Sequence, residues 1–385
     1  MQSLTWDDRA KKVFAQGCNT YSKRSDQYIL GISPTHILNQ DRGDPAFMAA
    51  DGVSYCDWVN GLGANILGTS FSHSLPTTLE VQYAERLQAV FPFMERMRFL
   101  KTGSAACEAA IRIARAYAGR QEVWGCGYHG ASNVFVAAES PGAGCVDEGY
   151  QKFGNVGELV AILKETDWNP AAVIVEPVQL DMSVKLSLAE LRGETARRGI
   201  VLIFDEIISG FRVPKYCFSN YFGIIPDIIT LGKAMANGHP LSVVGGKQEI
   251  MEGAPWFISN THNGDTCSIK AAMSVMDSIT PESLEEAWRV GGEILAHFNQ
   301  INPVIQLHGY PTRAELVGSE ENKAIYIQEM HRRRHFVGKA WFLNFYHGAA
   351  HINMFLHWAG EVINGIAEGM YPLEGPIPVP VFKRN

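Results

Sequence analysis

The chain is expected to fold as an α/β protein around a mostly parallel sheet, and two observations lead there. Continuous apolar runs recur at 171–175, 200–204, 227–231 and 241–245 without polar alternation, the pattern of strands buried on both faces. Three of these runs end in something polar, at Glu176-Pro177, Asp205-Glu206 and Gly232-Lys233. In open α/β sheets ligands bind beyond the carboxyl ends of the strands, so these residues are expected to converge on one site.

Along the chain, residues 1–60 hold short strand-like pieces and turns, among them Asp51-Gly52 ahead of Val53-Ser54-Tyr55. Residues 61–284 carry the strand and helix alternation, with helix-like stretches such as 187–198, and are expected to form the large domain. Residues 285–385 mix helix and strand patterns. Neither end is large enough for a good core of its own, so the two are expected to fold together as one small α+β domain. At 385 residues and 42.5 kDa, the chain has room for two or three domains of ~100–200 residues, or one large α/β domain with an appendage.

Composition narrows the function classes. Apolar residues make up 46% and charged residues 19%, enough for a sizeable core and too apolar for global disorder. Net charge is −7 and the longest basic cluster is Arg332-Arg333-Arg334, which argues against nucleic acid as the main partner. The seven cysteines are scattered without a CxxC pair, as expected of reduced thiols in the cytoplasm. The N-terminus lacks the charged-then-apolar order of a secretory signal, and no apolar stretch approaches the ~18 residues that span a bilayer. A cytoplasmic protein without membrane attachment is the expectation.

Several motifs are weak. Gly125 to Gly130 match GxGxxG, but only Val123-Trp124 precede them and no amphipathic helix follows, so a dinucleotide site is disfavoured. Gly232-Lys233 is not a phosphate loop of the Walker kind, because Asp227 stands where the first glycine belongs. His331/His335 and His347/His351 have helical metal-ligand spacing but no accompanying HExxH glutamate. They read better as surface or core histidines, and no metal site is expected.

Four other features fit one another. Thr102-Gly103-Ser104 open an alanine-rich helix over 105–119, whose free N-terminal amides favour a phosphate, although an ordinary N-cap reads the same way. Asp205 closes an apolar strand and needs a partner: a ring N–H, a metal or a helix cap. Lys233 ends another strand, where a partly apolar pocket would let its amine act as a nucleophile on a carbonyl. Tyr128, in a glycine-rich turn, can stack on a planar ring. Pyridoxal 5′-phosphate would use all four, having a phosphate, an aldehyde, a planar ring and a basic ring nitrogen.

Residues 172–177, the stretch from Ile203 to Val213 (IFDEIISGFRV) and residues 227–240 resemble the class III aminotransferases of pyridoxal-phosphate fold type I, the aspartate-aminotransferase-like fold. Among these the wording is most similar to glutamate-1-semialdehyde aminomutase. The resemblance runs from about residue 50 to 275, with the DExxxGFR block and the lysine separated by 233 − 205 = 28 residues. It implies that Lys233 carries the cofactor as an imine and later shuttles the substrate proton. Asp205 would keep the ring nitrogen protonated, so that the ring acts as an electron sink. Ile207 and Tyr128 would pack on opposite ring faces, and Gly103 and Ser104 would bind the phosphate. Thr261 would reach the phosphate of a neighbouring subunit, which implies a homodimer with its active site at the interface. Glu176 would lie near the substrate side.

The departures bear on substrate. Asp265-Thr266 stand where the family has Asn-Pro, and the 102–106 loop lacks the usual glutamate. In Gly31-Ile32-Ser33-Pro34-Thr35-His36, the histidine replaces an aminomutase arginine that binds the substrate carboxylate. Leu343 to Tyr346 stand where its glutamate partner belongs, and losing both members of a buried pair is tolerable where losing one is not. No arginine lies between Arg334 and Arg384 to take up a substrate carboxylate. The expectation is therefore a ping-pong transaminase moving an amino group from a small amine or amino acid to a keto or aldehyde acceptor. The aminomutase is the alternative, followed by a decarboxylase or racemase of the same fold and a nonenzymatic binding protein.

Overall fold

The computed structural model describes residues 5–29, 31–41, 44, 46–66, 71–135 and 149–377; Cys145 and Arg384 fall outside them. The chain divides into two units, residues 1–177 with 184–280, and residues 178–183 with 281–385.

The first unit starts with α1 (Trp6–Val13) and a three-stranded antiparallel sheet of β1 (Ile37–Asn39), β2 (Ala46–Ala49) and β3 (Ser54–Cys56). After α2 (Asn60–Gly63) and α3 (Thr78–Val90) come β4 (Arg96–Leu100), α4 (Gly103–Ala118), β5 (Val123–Cys126), β6 (Tyr150–Lys152), α5 (Val156–Glu165) and β7 (Ala172–Val175). The unit continues with α6 (Lys185–Arg198), β8 (Val201–Asp205), α7 (Phe218–Phe222), β9 (Ile228–Leu231), β10 (Ser242–Gly246), α8 (Gln248–Met251) and α9 (Thr266–Ser278). Strands β4 to β10 form one sheet in the order β4-β10-β9-β8-β7-β5-β6.

Every apolar run anticipated from sequence is a strand of this sheet. The strands β6, β5, β7, β8 and β9 pair in parallel, whereas β10 is antiparallel to both β9 and β4. Only residues 232–241 separate β9 from β10, too few for the helical crossover that a parallel pair requires.

Both faces of the sheet are covered. Along β8, Val201 and Ile203 pack in one cluster with Ala106, Ala110 and Ile113 of α4. Leu202 and Phe204 pack in another with Leu159 of α5 and Leu188 of α6. The strand period of two therefore puts Asp205 on the α4 side. This face assignment is what makes Asp205 available to groups at the start of α4.

Residues 1–60, expected to join residues 285–385, group with the first unit instead. Ala10, Val13 and Phe14 are buried in the same cluster as Leu87 of α3 and Phe99 of β4, so the apolar stripe of α1 finds its core there. The second unit holds α10 (Pro281–Ile301), the antiparallel strands β11 (Gln306–Tyr310) and β12 (Arg313–Val317), α11 (Glu320–Arg332), β13 (Ala340–Phe342) and α12 (Ala349–Ala367). Its core joins Phe298, Leu307, Tyr326 and Ile363. Arg332 and Arg333 end α11 and pair with Glu329, which accounts for the short basic cluster.

Candidate active site

The carboxyl ends of β5, β7, β8 and β9 lie side by side, and Asp205, Glu176, Tyr128 and Lys233 stand at or just beyond them. Asp205, at the end of β8, is 5% exposed. Its Oδ1 accepts hydrogen bonds from the Ile207 amide at 3.1 Å and the Thr230 hydroxyl at 3.3 Å. Its Oδ2 lies 2.8 Å from His129 Nδ1. A buried carboxylate needs hydrogen-bond partners, and these contacts supply them.

Sequence reasoning missed His129. The ring is buried, and its Nε2 has no hydrogen-bond partner among the described residues. The histidine lies inside the stretch set aside as a weak dinucleotide match, and adjacency to Tyr128 was the available signal. The loop it belongs to is pinned at three points. The Tyr128 amide donates to Glu176 Oε1 at 2.7 Å, the Ala131 amide donates to Ser104 Oγ at 3.0 Å, and His129 meets Asp205. At Gly127, φ is +121° and a Cβ would come within 2.9 Å of Glu176 Oε1, so this turn takes glycine for both conformation and space. The GxGxxG sequence thus serves β5 as a loop across neighbouring strand ends.

Ile207 sits between two close backbone approaches. A Cβ at Gly103 would stand 2.9 Å from Ile207 Cγ2, and one at Gly232 would stand 3.1 Å from Ile207 Cδ1. The side chain is thereby wedged between the start of α4 and the end of β9. Thr102 caps α4, accepting from the Ala105 amide at 3.1 Å, and the first-turn amides have no partner earlier in the helix. Such a terminus, opening beside a buried carboxylate, suits a phosphorylated ring whose opposite edge carries a nitrogen.

Lys233 follows Gly232 with φ +43°, a left-handed conformation that costs a non-glycine residue ~1–2 kcal/mol and tends to persist at functional positions. In the single chain Lys233 is exposed, not enclosed in the partly apolar pocket expected of it. Tyr128 is likewise 49% exposed. Cys107 of α4 is buried, its thiol pushed up first by desolvation and then by the Asp205 charge, with Lys233 acting in the opposite direction. Asp205 and Lys233 both act on this one thiol from adjacent strands.

Thr261 is only partly buried and lies on another loop, where its carbonyl accepts from Lys23 Nζ at 3.0 Å. Among the described residues, no hydrogen bond joins it to the Asp205 group. A separate cavity of about 510 Å³, lined by Phe71, Ser72, Lys101, His239, His262 and Cys267 among others, does not include Asp205 or Lys233. No three His, Cys, Asp or Glu residues cluster as a metal site among the described residues. The residues at the strand ends fit pyridoxal phosphate: a capped helix terminus, a buried hydrogen-bonded carboxylate, an aliphatic wedge, an exposed aromatic and a lysine.

Comparison with known proteins agrees with this geometry. The family model for class-III aminotransferases matches residues 147–307. Glutamate-1-semialdehyde 2,1-aminomutase of Desulfotalea psychrophila is 30% identical over 351 residues, covering 80% of each chain. Glutamate-1-semialdehyde 2,1-aminomutase 2 of Bacillus licheniformis is 32% identical over 303 residues, covering 66% of this chain and 70% of that one. Among solved structures, a transaminase with PLP bound superimposes with a TM-score of 0.69 at 20% identity, covering 95% of this chain and 98% of its own. A β-phenylalanine aminotransferase from Variovorax paradoxus gives a TM-score of 0.70 at 21% identity, covering 94% and 93%. The structural matches carry the fold, the sequence matches carry the descent, and the chain belongs to the class-III aminotransferase family.

Proposed function

We propose that the chain is a pyridoxal 5′-phosphate-dependent transaminase that moves an amino group from a small amine or amino acid to a keto or aldehyde acceptor. The observation that carries this reading is the placement of Asp205, buried and hydrogen-bonded on the α4 side of the sheet, one strand from Lys233. When bound, the cofactor supplies an aldehyde for the incoming amine and a ring that withdraws electrons from it. Asp205 would hold a proton on the ring nitrogen, with His129 and Thr230 keeping its carboxylate oriented. Lys233 would hold the cofactor through its amine, and the same amine would serve as the base that takes the proton from the substrate α-carbon. Gly103 and Ser104 bind the phosphate, Ile207 and Tyr128 flank the ring, and Glu176 holds the Tyr128 turn.

The enzyme works as a homodimer in this reading, with Thr261 of one subunit completing the phosphate site of the other. A cytoplasmic setting fits the six described cysteines, all free thiols, and no helix among the described residues is long and apolar enough to cross a membrane.

The aminomutase remains the second reading because curated relatives carry that name. His36 weighs against it. The ring is buried, and desolvation pushes its pKa down to about 4, so at neutral pH it offers no positive charge to a substrate carboxylate. The test is a half-reaction screen: pyridoxal phosphate is loaded, single amines are added, and conversion of the cofactor is followed by absorbance. Conversion by glutamate or simple primary amines supports the transaminase. A response confined to the semialdehyde or diamine establishes the aminomutase instead.

A further inference from the structure

We propose that Lys101 is a positioning residue that ties together the three loops bearing the cofactor-binding groups, and that Asp265 is its counter-charge. The inference rests on the pyridoxal-phosphate reading and extends it to residues outside the family pattern. Lys101 Nζ donates to an Asp265 carboxylate oxygen and also to the Pro240 carbonyl at 3.2 Å. In sequence, Lys101 directly precedes Thr102, Gly103 and Ser104; Pro240 closes the turn that begins at Lys233; and Asp265 follows the loop from Thr261 to Gly264. One ammonium group therefore spans the phosphate turn, the lysine turn and the threonine loop.

The choice of aspartate supports this assignment. Asp265 caps α9, its Oδ1 accepting from the amides of Cys267 at 3.0 Å and Ser268 at 3.3 Å. Asparagine caps a helix about as well as aspartate, so the cap alone does not call for a charge. The second carboxylate oxygen faces Lys101, whose side chain is 22% exposed against 13% for Asp265. Burial raises the Asp265 pKa, but the hydrogen bonds from Lys101 and Ser268 outweigh it and hold the carboxyl below its ordinary value. Thr102 is fixed from the other side, its carbonyl accepting from Ser242 Oγ at 2.8 Å. The residues that break the family's Asn-Pro pattern therefore have a use in this chain: they place a carboxylate where Lys101 can clamp it.

The experiment measures pyridoxal phosphate dissociation constants, by absorbance and protein fluorescence, for wild type, Lys101→Met, Asp265→Asn, the double variant and Lys101→Arg. Melting temperatures of the cofactor-free proteins are recorded alongside. Each single loss is expected to weaken cofactor binding by about tenfold, the double variant to be no worse than either single, and Lys101→Arg to restore most of the affinity. Cofactor-free melting temperatures should change far less than those of the loaded proteins. Asp265→Asn keeps the helix cap, so it carries the test should Lys101→Met fail to fold. Unchanged affinity in the single variants, or losses that multiply in the double variant, overturns the tie while leaving the cofactor reading intact. A wild-type chain that binds no pyridoxal phosphate overturns both.

Discussion

His36 stands where the aminomutase pattern has an arginine, and its titration gives a quantitative handle on that difference. The imidazole is 2% exposed, with Nδ1 3.2 Å from the Thr35 hydroxyl and Nε2 buried without a partner among the described residues. Desolvation, opposed by the charge of Asp7 and assisted by that of Arg9, pulls its pKa from 6.5 to about 4. With the folded value below the unfolded one, the unfolded chain binds the proton more readily between those pH values. Stability from this group is therefore complete above pH 6.5 and drains away as pH falls toward 4. Between pH 7 and pH 4.5 the loss is on the order of 2 kcal/mol. Buried Glu80 and Glu206, both raised by desolvation, push the other way, and His73, also pulled to about 4, adds a similar loss. These groups are common to wild type and His36→Gln, so the difference between the two proteins isolates one imidazole. Urea unfolding at both pH values should show the stability gap shifting by on the order of 2 kcal/mol in favour of the variant at pH 4.5. Parallel pH profiles would refute the reasoning, because they would mean that His36 protonates as easily folded as unfolded.

Three further outcomes follow from particular contacts. Glu206 is fully buried and accepts from Ser209 Oγ, the Phe218 and Ser219 amides and Ser219 Oγ. Glu206→Gln turns an N–H toward those donors and should cost roughly 3 kcal/mol in chemical denaturation. Gly103→Ala puts a methyl group 2.9 Å from Ile207 Cγ2; it should weaken cofactor binding in an equilibrium titration by roughly an order of magnitude. His129→Leu takes away one of the groups hydrogen-bonded to the buried Asp205 carboxylate, and should lower kcat by at least about tenfold with a smaller effect on KM.

Much of the sheet was legible because burial on both faces leaves an unbroken apolar run, and Ala172 to Val175 or Val201 to Phe204 need no context to be recognised. The direction of β10 was not, since Val243 and Val244 look the same in either orientation and only the short connection from β9 decides it. Asp205, Glu176 and Lys233 were legible through their positions at strand ends. Their hydrogen-bonded supports were less so: Asp265 stood out as a departure, but its partner Lys101 lies 164 positions away, and no local pattern links them. His129 lies within Gly125 to Gly130, whose glycine spacing resembles a nucleotide motif and gives no local sign of its contact with Asp205. The placement of α1 depends on a tertiary contact between Phe14 and Phe99, which an eight-residue amphipathic segment cannot announce by itself.

The central claim concerns the amine of Lys233. Protein loaded with pyridoxal phosphate, reduced with borohydride and digested, should carry the cofactor mass on the peptide containing Lys233. Lys233→Ala should lose both the label and turnover while keeping the wild-type circular dichroism spectrum. Label on a different lysine, or turnover surviving in a folded Lys233→Ala chain, would contradict the account.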